Sequence, residues 1–121
     1  MPKTEVVLYA EDDGTCPLLG WMDGLPQKAQ DKCIVRIERL AEMGHELRRP
    51  EADFLRDGVY ELRVALHRVQ YRMLYFFSEN KAVISHGLIK KAEEVPPKQV
   101  DLAIERKGRF VSNPLKHTYV E

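Results

Sequence analysis

Residues 59–90, VYELRVALHRVQYRMLYFFSENKAVISHGLIK, set the fold of this chain. Three runs rich in β-branched and aromatic residues, 59–66, 69–77 and 82–90, are separated by short polar joints. Such joints are too short for a crossover helix, so the runs are predicted to form an antiparallel meander. With His67–Arg68 as a two-residue turn, Arg63 falls opposite Arg72, Leu62 opposite Met73, Val64 opposite Tyr71 and Tyr60 opposite Tyr75. Side chains alternate across a sheet, so Tyr60, Leu62, Val64, Tyr71, Met73 and Tyr75 share one face. That face is the expected core, covered by the helices. The opposite face, turned away from the hydrophobic interior, is expected to carry Arg63 beside Arg72, flanked by Glu61 and Gln70. A second turn at Glu79–Asn80 sets Gly87 opposite Arg72 as open floor, with Ile89 and Lys91 following on the arginine face. In that register His86 falls on the core face opposite Met73.

Just before the meander, residues 46–58, ELRRPEADFLRDG, are polar and proline-broken and read as a loop. Upstream, Pro26 opens a helix running to about Met43, with Ala29, Cys33, Ile37, Leu40 and Ala41 at helical spacing. Gly44 is its stop. A short helix is expected over Pro17–Asp23, with Pro17 in its first turn, and a short strand over residues 5–10. Downstream, Pro97 begins a helix expected to reach about Lys107, with Val100, Ala103 and Ile104 as its apolar stripe and Gly108 as its stop. Residues 109–121 then read as a tail without clear period. The order is strand, two helices, three strands, one helix, a small α+β domain spanning residues 1–121 with its core at about 5–108.

Composition agrees with one globular unit. Of 121 residues, 44% are hydrophobic and 31% charged, an ordinary balance for a domain of this length. No apolar run approaches the roughly 18 residues of a membrane helix, and the N-terminal residues lack the apolar stretch of a signal peptide. Cys16 and Cys33 have no CxxC spacing, so neither a disulfide framework nor a metal site is suggested, and a reduced, cytoplasmic protein is expected. Net charge is 0, from 19 basic and 19 acidic residues, which argues against indiscriminate nucleic-acid binding. The sign is nevertheless uneven along the chain: residues 59–91 hold 6 basic residues against Glu61 and Glu79. Like charges directly opposed in a sheet are destabilising, so the Arg63/Arg72 pair needs an offset. Either carboxylates such as Glu61 supply it, or an anion does, since two guanidiniums side by side suit phosphate oxygens.

The strings GVYELRVALHRVQYRMLYFF and ISHGLIKKAEEVPPKQVDLAIER, with the amphipathic helix before them, resemble the HigB-like branch of the RelE/ParE toxin superfamily, a branch that includes many phage-derived proteins. The resemblance covers about residues 5–106. It implies a RelE-like fold, with two N-terminal helices packed on a small antiparallel sheet and a C-terminal helix. It also implies the toxin of a type II toxin–antitoxin pair, active as a ribosome-dependent, metal-independent endoribonuclease (an mRNA interferase) that needs no cofactor. The implied partners are a helix-turn-helix antitoxin of the HigA/XRE type, the ribosome and its mRNA. By position in these motifs Arg63 and Arg72 are the candidate catalytic cations, with Arg68, Lys90, Lys91 and Arg106 as candidate RNA-phosphate contacts.

Cleavage through the ribose 2′-hydroxyl needs a base, cations for the pentavalent phosphorane and an acid for the leaving 5′-oxygen. Histidine is the readiest acid–base candidate near neutral pH. His67 lies in the turn at the edge of the arginine face, and His117, with Tyr119, lies near the C-terminus, where a catalytic role and a solvated tail are both open. His45 reads as a surface residue and His86 as a hydrogen-bonded structural one. Two further functions remain open on the same fold: a ParE-like inhibitor of DNA gyrase, and a non-catalytic, phage-derived binding module.

Overall fold

A computed structural model describes residues 4–121 of the chain. The elements are β1 (Glu5–Leu8), α1 (Pro17–Asp23), α2 (Gln27–Met43), β2 (Ala52–Arg56), β3 (Val59–Leu66), β4 (Val69–Ser78), β5 (Lys81–Lys90) and α3 (Pro97–Ser112). They build a small RelE-like α+β fold around a five-stranded sheet of order β1-β5-β4-β3-β2. Strands β2 to β5 run antiparallel to their neighbours, while β1 joins β5 in parallel. The β3–β4 register is the expected one, with Arg63 opposite Arg72 and Leu62 opposite Met73. His67 and Arg68 both take positive φ, 51° and 68°, as the reversed twist of a tight hairpin turn demands.

Residues 46–58 are not a loop throughout. They contain edge strand β2, which pairs with β3 through a tight Asp57–Gly58 turn whose residues both have positive φ. Proline and charge hid this strand, and both are the usual protection of a sheet edge.

The sheet is covered on both sides, not one. On one side α1 and α2 bury Leu18, Met22, Ala29, Cys33 and Leu40 against Leu62, Val64, Met73, Tyr75 and Ile84. On the other, α3 buries Val100 and Ala103 against Val59 and Leu74, and Phe110 against Val7, Tyr9, Phe76 and Val83. The arginine face is therefore part of a second core. The physical reason is the run MLYFF in β4, apolar on both faces as a strand buried from both sides must be.

Helix α3 passes its expected stop at Gly108 and continues to Ser112. Glycine inside a helix costs about 1 kcal/mol, but Phe110 lies beyond it and buries its ring 6.0 Å from that of Phe76. Full burial of such a side chain gains roughly 2 kcal/mol, so packing outweighs propensity. The chain after α3 is docked, not solvated. Tyr9 bridges Thr118, and the Tyr119 amide donates to the Leu8 carbonyl at 2.8 Å.

Candidate functional site

A bulge in β5 sets the geometry of the site. Pairing runs Tyr75 with Ile84 and then Leu74 with His86, leaving Ser85 as the extra residue. Every position beyond it is shifted by one from the simple two-residue register. Gly87 thus lies opposite Met73 and not Arg72, and the Trp21 indole fills the place its β-carbon would take. Leu88 stands opposite Arg72, Ile89 opposite Tyr71, and Lys90 opposite Gln70. The lysine on the arginine side of the sheet is accordingly Lys90. Lys91 lies past the end of β5 and is exposed. The same shift moves His86 to the α3 side, opposite Leu74.

On that side, at the β2 end of the sheet, lies a cleft of about 420 Å³ lined by Arg49, Asp53, Arg56, Glu61, Arg63 and Lys90, with Glu93 and Glu94 from the β5–α3 connection and Val95 and Val100 as apolar wall. Its cations are held to different degrees. Arg49 is locked on Asp53 at 2.7 and 2.9 Å, Arg56 on Asp57 and Asp101 at 3.1 and 2.5 Å, and Lys90 donates to the Glu93 carbonyl at 3.0 Å. Arg63 is held loosely. Its Nη1 lies 3.8 Å from Glu61 and 4.0 Å from Asp53, and its side chain is 27% exposed. The ion pair with Arg49 keeps the Asp53 carboxyl below its ordinary range.

Arg72 does not open beside Arg63. It is 1% exposed, with Nε 3.2 Å from Glu61 and Nη1 donating to the Tyr71 carbonyl at 2.9 Å. Burial pushes its pKa down, and the adjacent Glu61 carboxylate opposes that shift. The expected two-arginine fork, open to phosphate, is therefore not formed. One buried carboxylate is shared between an inward arginine and a rim arginine, the first of the two offsets weighed for the opposed pair.

The other candidate residues lie apart from the cleft. His67 and Arg68 are exposed at the β3–β4 turn, and His67 is roughly 13 Å along the strand from Arg63 at ~3.3 Å per residue. Arg106 faces the β1 side, buried, with Nε 3.3 Å from Glu11, Nη1 3.4 Å from the Ser85 carbonyl and the guanidinium over the Tyr9 ring. His117 is 5% exposed, stacked on Tyr9, and donates from Nδ1 to the Ala10 carbonyl at 2.8 Å. Tyr119 packs against the core on the α1/α2 side. Since β5 and β4 separate β1 from β3, the β1 edge where His117 and Tyr119 dock stands three strand spacings, about 14 Å, from Arg63. His45 stacks on Phe77. His86 is buried, as a structural histidine should be: its Nε2 meets Gln99 Oε1 at 2.9 Å and its Nδ1 meets Ser85 Oγ at 2.8 Å. Burial pushes it down to about 4. Tyr71 and Tyr75 are buried packing groups.

Among the described residues no helix is long and apolar enough to cross a membrane, and no cluster of His, Cys, Asp and Glu is arranged to hold a metal ion.

A three-layer RelE-like domain with a mixed-charge cleft at one end of its sheet defines the structural class. The family model of the phage-derived Gp49-like proteins (DUF891) matches residues 20–108, and the chain belongs to that family. The match begins inside α1 and ends inside α3, so it takes in the meander and every residue lining the cleft. No curated protein matches the chain.

Proposed function

We propose that this protein is the toxin of a type II toxin–antitoxin pair and that it cuts mRNA on the ribosome, with the cleft beside Arg63 receiving the scissile phosphate. The observation that carries this reading is Arg63 itself: a half-buried guanidinium at a concave wall, within 4 Å of two carboxylates yet making no side-chain hydrogen bond among the described residues. A phosphate entering the cleft meets a cation whose existing contacts are weak, and an arginine matches phosphate oxygens two at a time. Lys90, on the neighbouring wall, is the second contact. Stabilising charge that develops on the phosphorane is worth the most of any single contribution, about 10²–10³ in rate per donor.

Arg49, Arg56, Arg63 and Lys90 face Asp53, Glu61, Glu93 and Glu94 across the cleft. With the charges so balanced, affinity for free RNA is weak and the ribosome must present the substrate. The proton acceptors within reach are carboxylates: Glu93 and Glu94 are exposed and make no ion pair among the described residues, whereas all four histidines lie elsewhere. The partner in this reading is a helix-turn-helix antitoxin.

The test is induction of wild type and Arg63→Ala in growing cells, with 5′ ends of translated messages mapped. Wild type is expected to produce cuts within translated frames, and the variant to cut at least ~10²-fold more slowly at equal abundance. Growth arrest with intact messages and a DNA-damage response would replace this reading by gyrase inhibition. No arrest at all would leave a binding module.

A further inference from the structure

We infer that Glu61 is a positioning residue that aims Arg63 into the cleft, its one carboxylate serving both the buried Arg72 and the rim Arg63. The pairing register forces the arrangement. Arg63 and Arg72 are directly opposed on adjacent strands, where like charges repel. Glu61 precedes Arg63 by two residues on the same strand and so stands on the same face. Its Oε1 lies 3.2 Å from Arg72 Nε, and its Oε2 lies 3.8 Å from Arg63 Nη1. The residue is 5% exposed, so this carboxylate is itself a buried charge, and buried charges persist only when paired.

The two arginines anchor the carboxylate unequally. Arg72 is fully buried, bonded to the Tyr71 carbonyl and within 3.5 Å of Gln70 Oε1 through both Nη atoms. It fixes Glu61, and Glu61 in turn draws Arg63 toward the cleft floor. Asp53 draws the same Nη1 from the other side but is already occupied by Arg49. Arg63 is thereby oriented without being saturated, so it keeps hydrogens for an incoming phosphate. A reaction that depends on where a cation stands loses rate when that cation wanders, even if the charge remains.

The kinetic part of this inference rests on the proposed ribonuclease reading, whereas the orientation of Arg63 does not. The decisive variant is Glu61→Gln with Arg72→Met. It removes the buried pair together, leaves the local charge unchanged and abandons no buried ion. Two measurements are made on the full chain: the order parameter of the Arg63 Nε–Hε group by ¹⁵N relaxation, and cleavage kinetics on programmed ribosomes. In the variant the order parameter is expected to fall below about 0.6, with kcat down about tenfold or more and KM within a factor of about two of wild type. A merely structural role would lower the active fraction and leave Arg63 ordered in the molecules that fold. Either change without the other overturns the inference, as does an unchanged protein. If wild type cleaves nothing, the ribonuclease reading fails alone, and the relaxation data still decide whether Glu61 orders Arg63. Should the double variant not fold, Glu61→Asp serves. It keeps the negative charge beside both arginines but withdraws the carboxylate by one methylene from each. Arg72 stays bonded to the Tyr71 carbonyl, whereas Arg63 loses its guide, so the same split between kcat and KM is expected.

Discussion

Acidification from pH 7 to pH 5 should destabilise the fold mainly through one side chain, His86. The imidazole is buried on the α3 side of the sheet, with Ser85 on one nitrogen and Gln99 on the other. A neutral ring with its proton on Nε2 satisfies both partners: it donates to Gln99 Oε1 and accepts the Ser85 hydroxyl hydrogen at Nδ1. Burial holds the native pKa down to about 4, Gln99 opposing and the Arg106 charge assisting, whereas an unfolded histidine titrates near about 6.5. The native pKa is depressed, so between these values the unfolded chain binds a proton that the native one refuses. Stability is fully present above about pH 6.5 and is lost as pH falls toward 4. The whole gap corresponds to roughly 3 kcal/mol, and about 2 kcal/mol of it is lost between pH 7 and pH 5. For a domain of this size that lowers Tm by roughly 8 °C. Asp13, Glu51 and Asp53, held low by hydrogen bonds and arginines, contribute only below this window. Urea unfolding at pH 5, 6 and 7 measures the slope, and His86→Gln, which cannot ionise, should remove it. Equal pH slopes in wild type and variant would refute the argument.

Gly87→Ala should cost about 1–3 kcal/mol in chemical unfolding and alter the near-ultraviolet signal of Trp21, because the new methyl enters the space of the indole. A variant as stable as wild type would mean that α1 shifts freely over β5. His117→Ala should free the segment after α3, raising amide exchange at Tyr119 and costing about 1–2 kcal/mol for the lost hydrogen bond and stacking on Tyr9. Unaltered exchange at Tyr119 would show that the backbone pairing holds the segment without the ring.

Much of this architecture could be read from residues 59–90 because period-2 alternation and two-residue joints leave few choices. The Arg63–Arg72 opposition, the most specific expectation, needed only the length of one turn. What escaped was non-local. No pattern in ADFLR outweighs Pro50 and its charged neighbours, although the Asp57–Gly58 pair before VYELRV is a hairpin signal and points to β2. The Ser85 bulge is invisible to alternation, since an inserted residue leaves composition untouched while it exchanges Lys91 for Lys90 and Gly87 for Leu88 on the arginine side. Burial of that side depended on α3 crossing back over the sheet. Its signal in the sequence is Leu74 and Phe76 alternating with Met73 and Tyr75, which makes β4 apolar on both faces. Of the cleft's charged lining, Arg63, Lys90 and the flanking Glu61 were legible. Arg49, Asp53 and Arg56 reach it from a segment that carries no motif, and Glu93 and Glu94 from a connection whose residues show no period.

Strand β1 has its own consequence for how the molecule is assembled. It lies beside β5 in parallel, across most of the chain, and on its outer flank Tyr9 pairs with Thr118. The meander can form from near neighbours, but β1 must wait for β5, and late long-range pairing is the slow part of folding. A nascent chain interrupted before His117 would leave a bare strand flank, the kind of surface on which chains stick to one another. The contact between these distant segments is thus the seam of the molecule, closed only after Thr118 has left the ribosome.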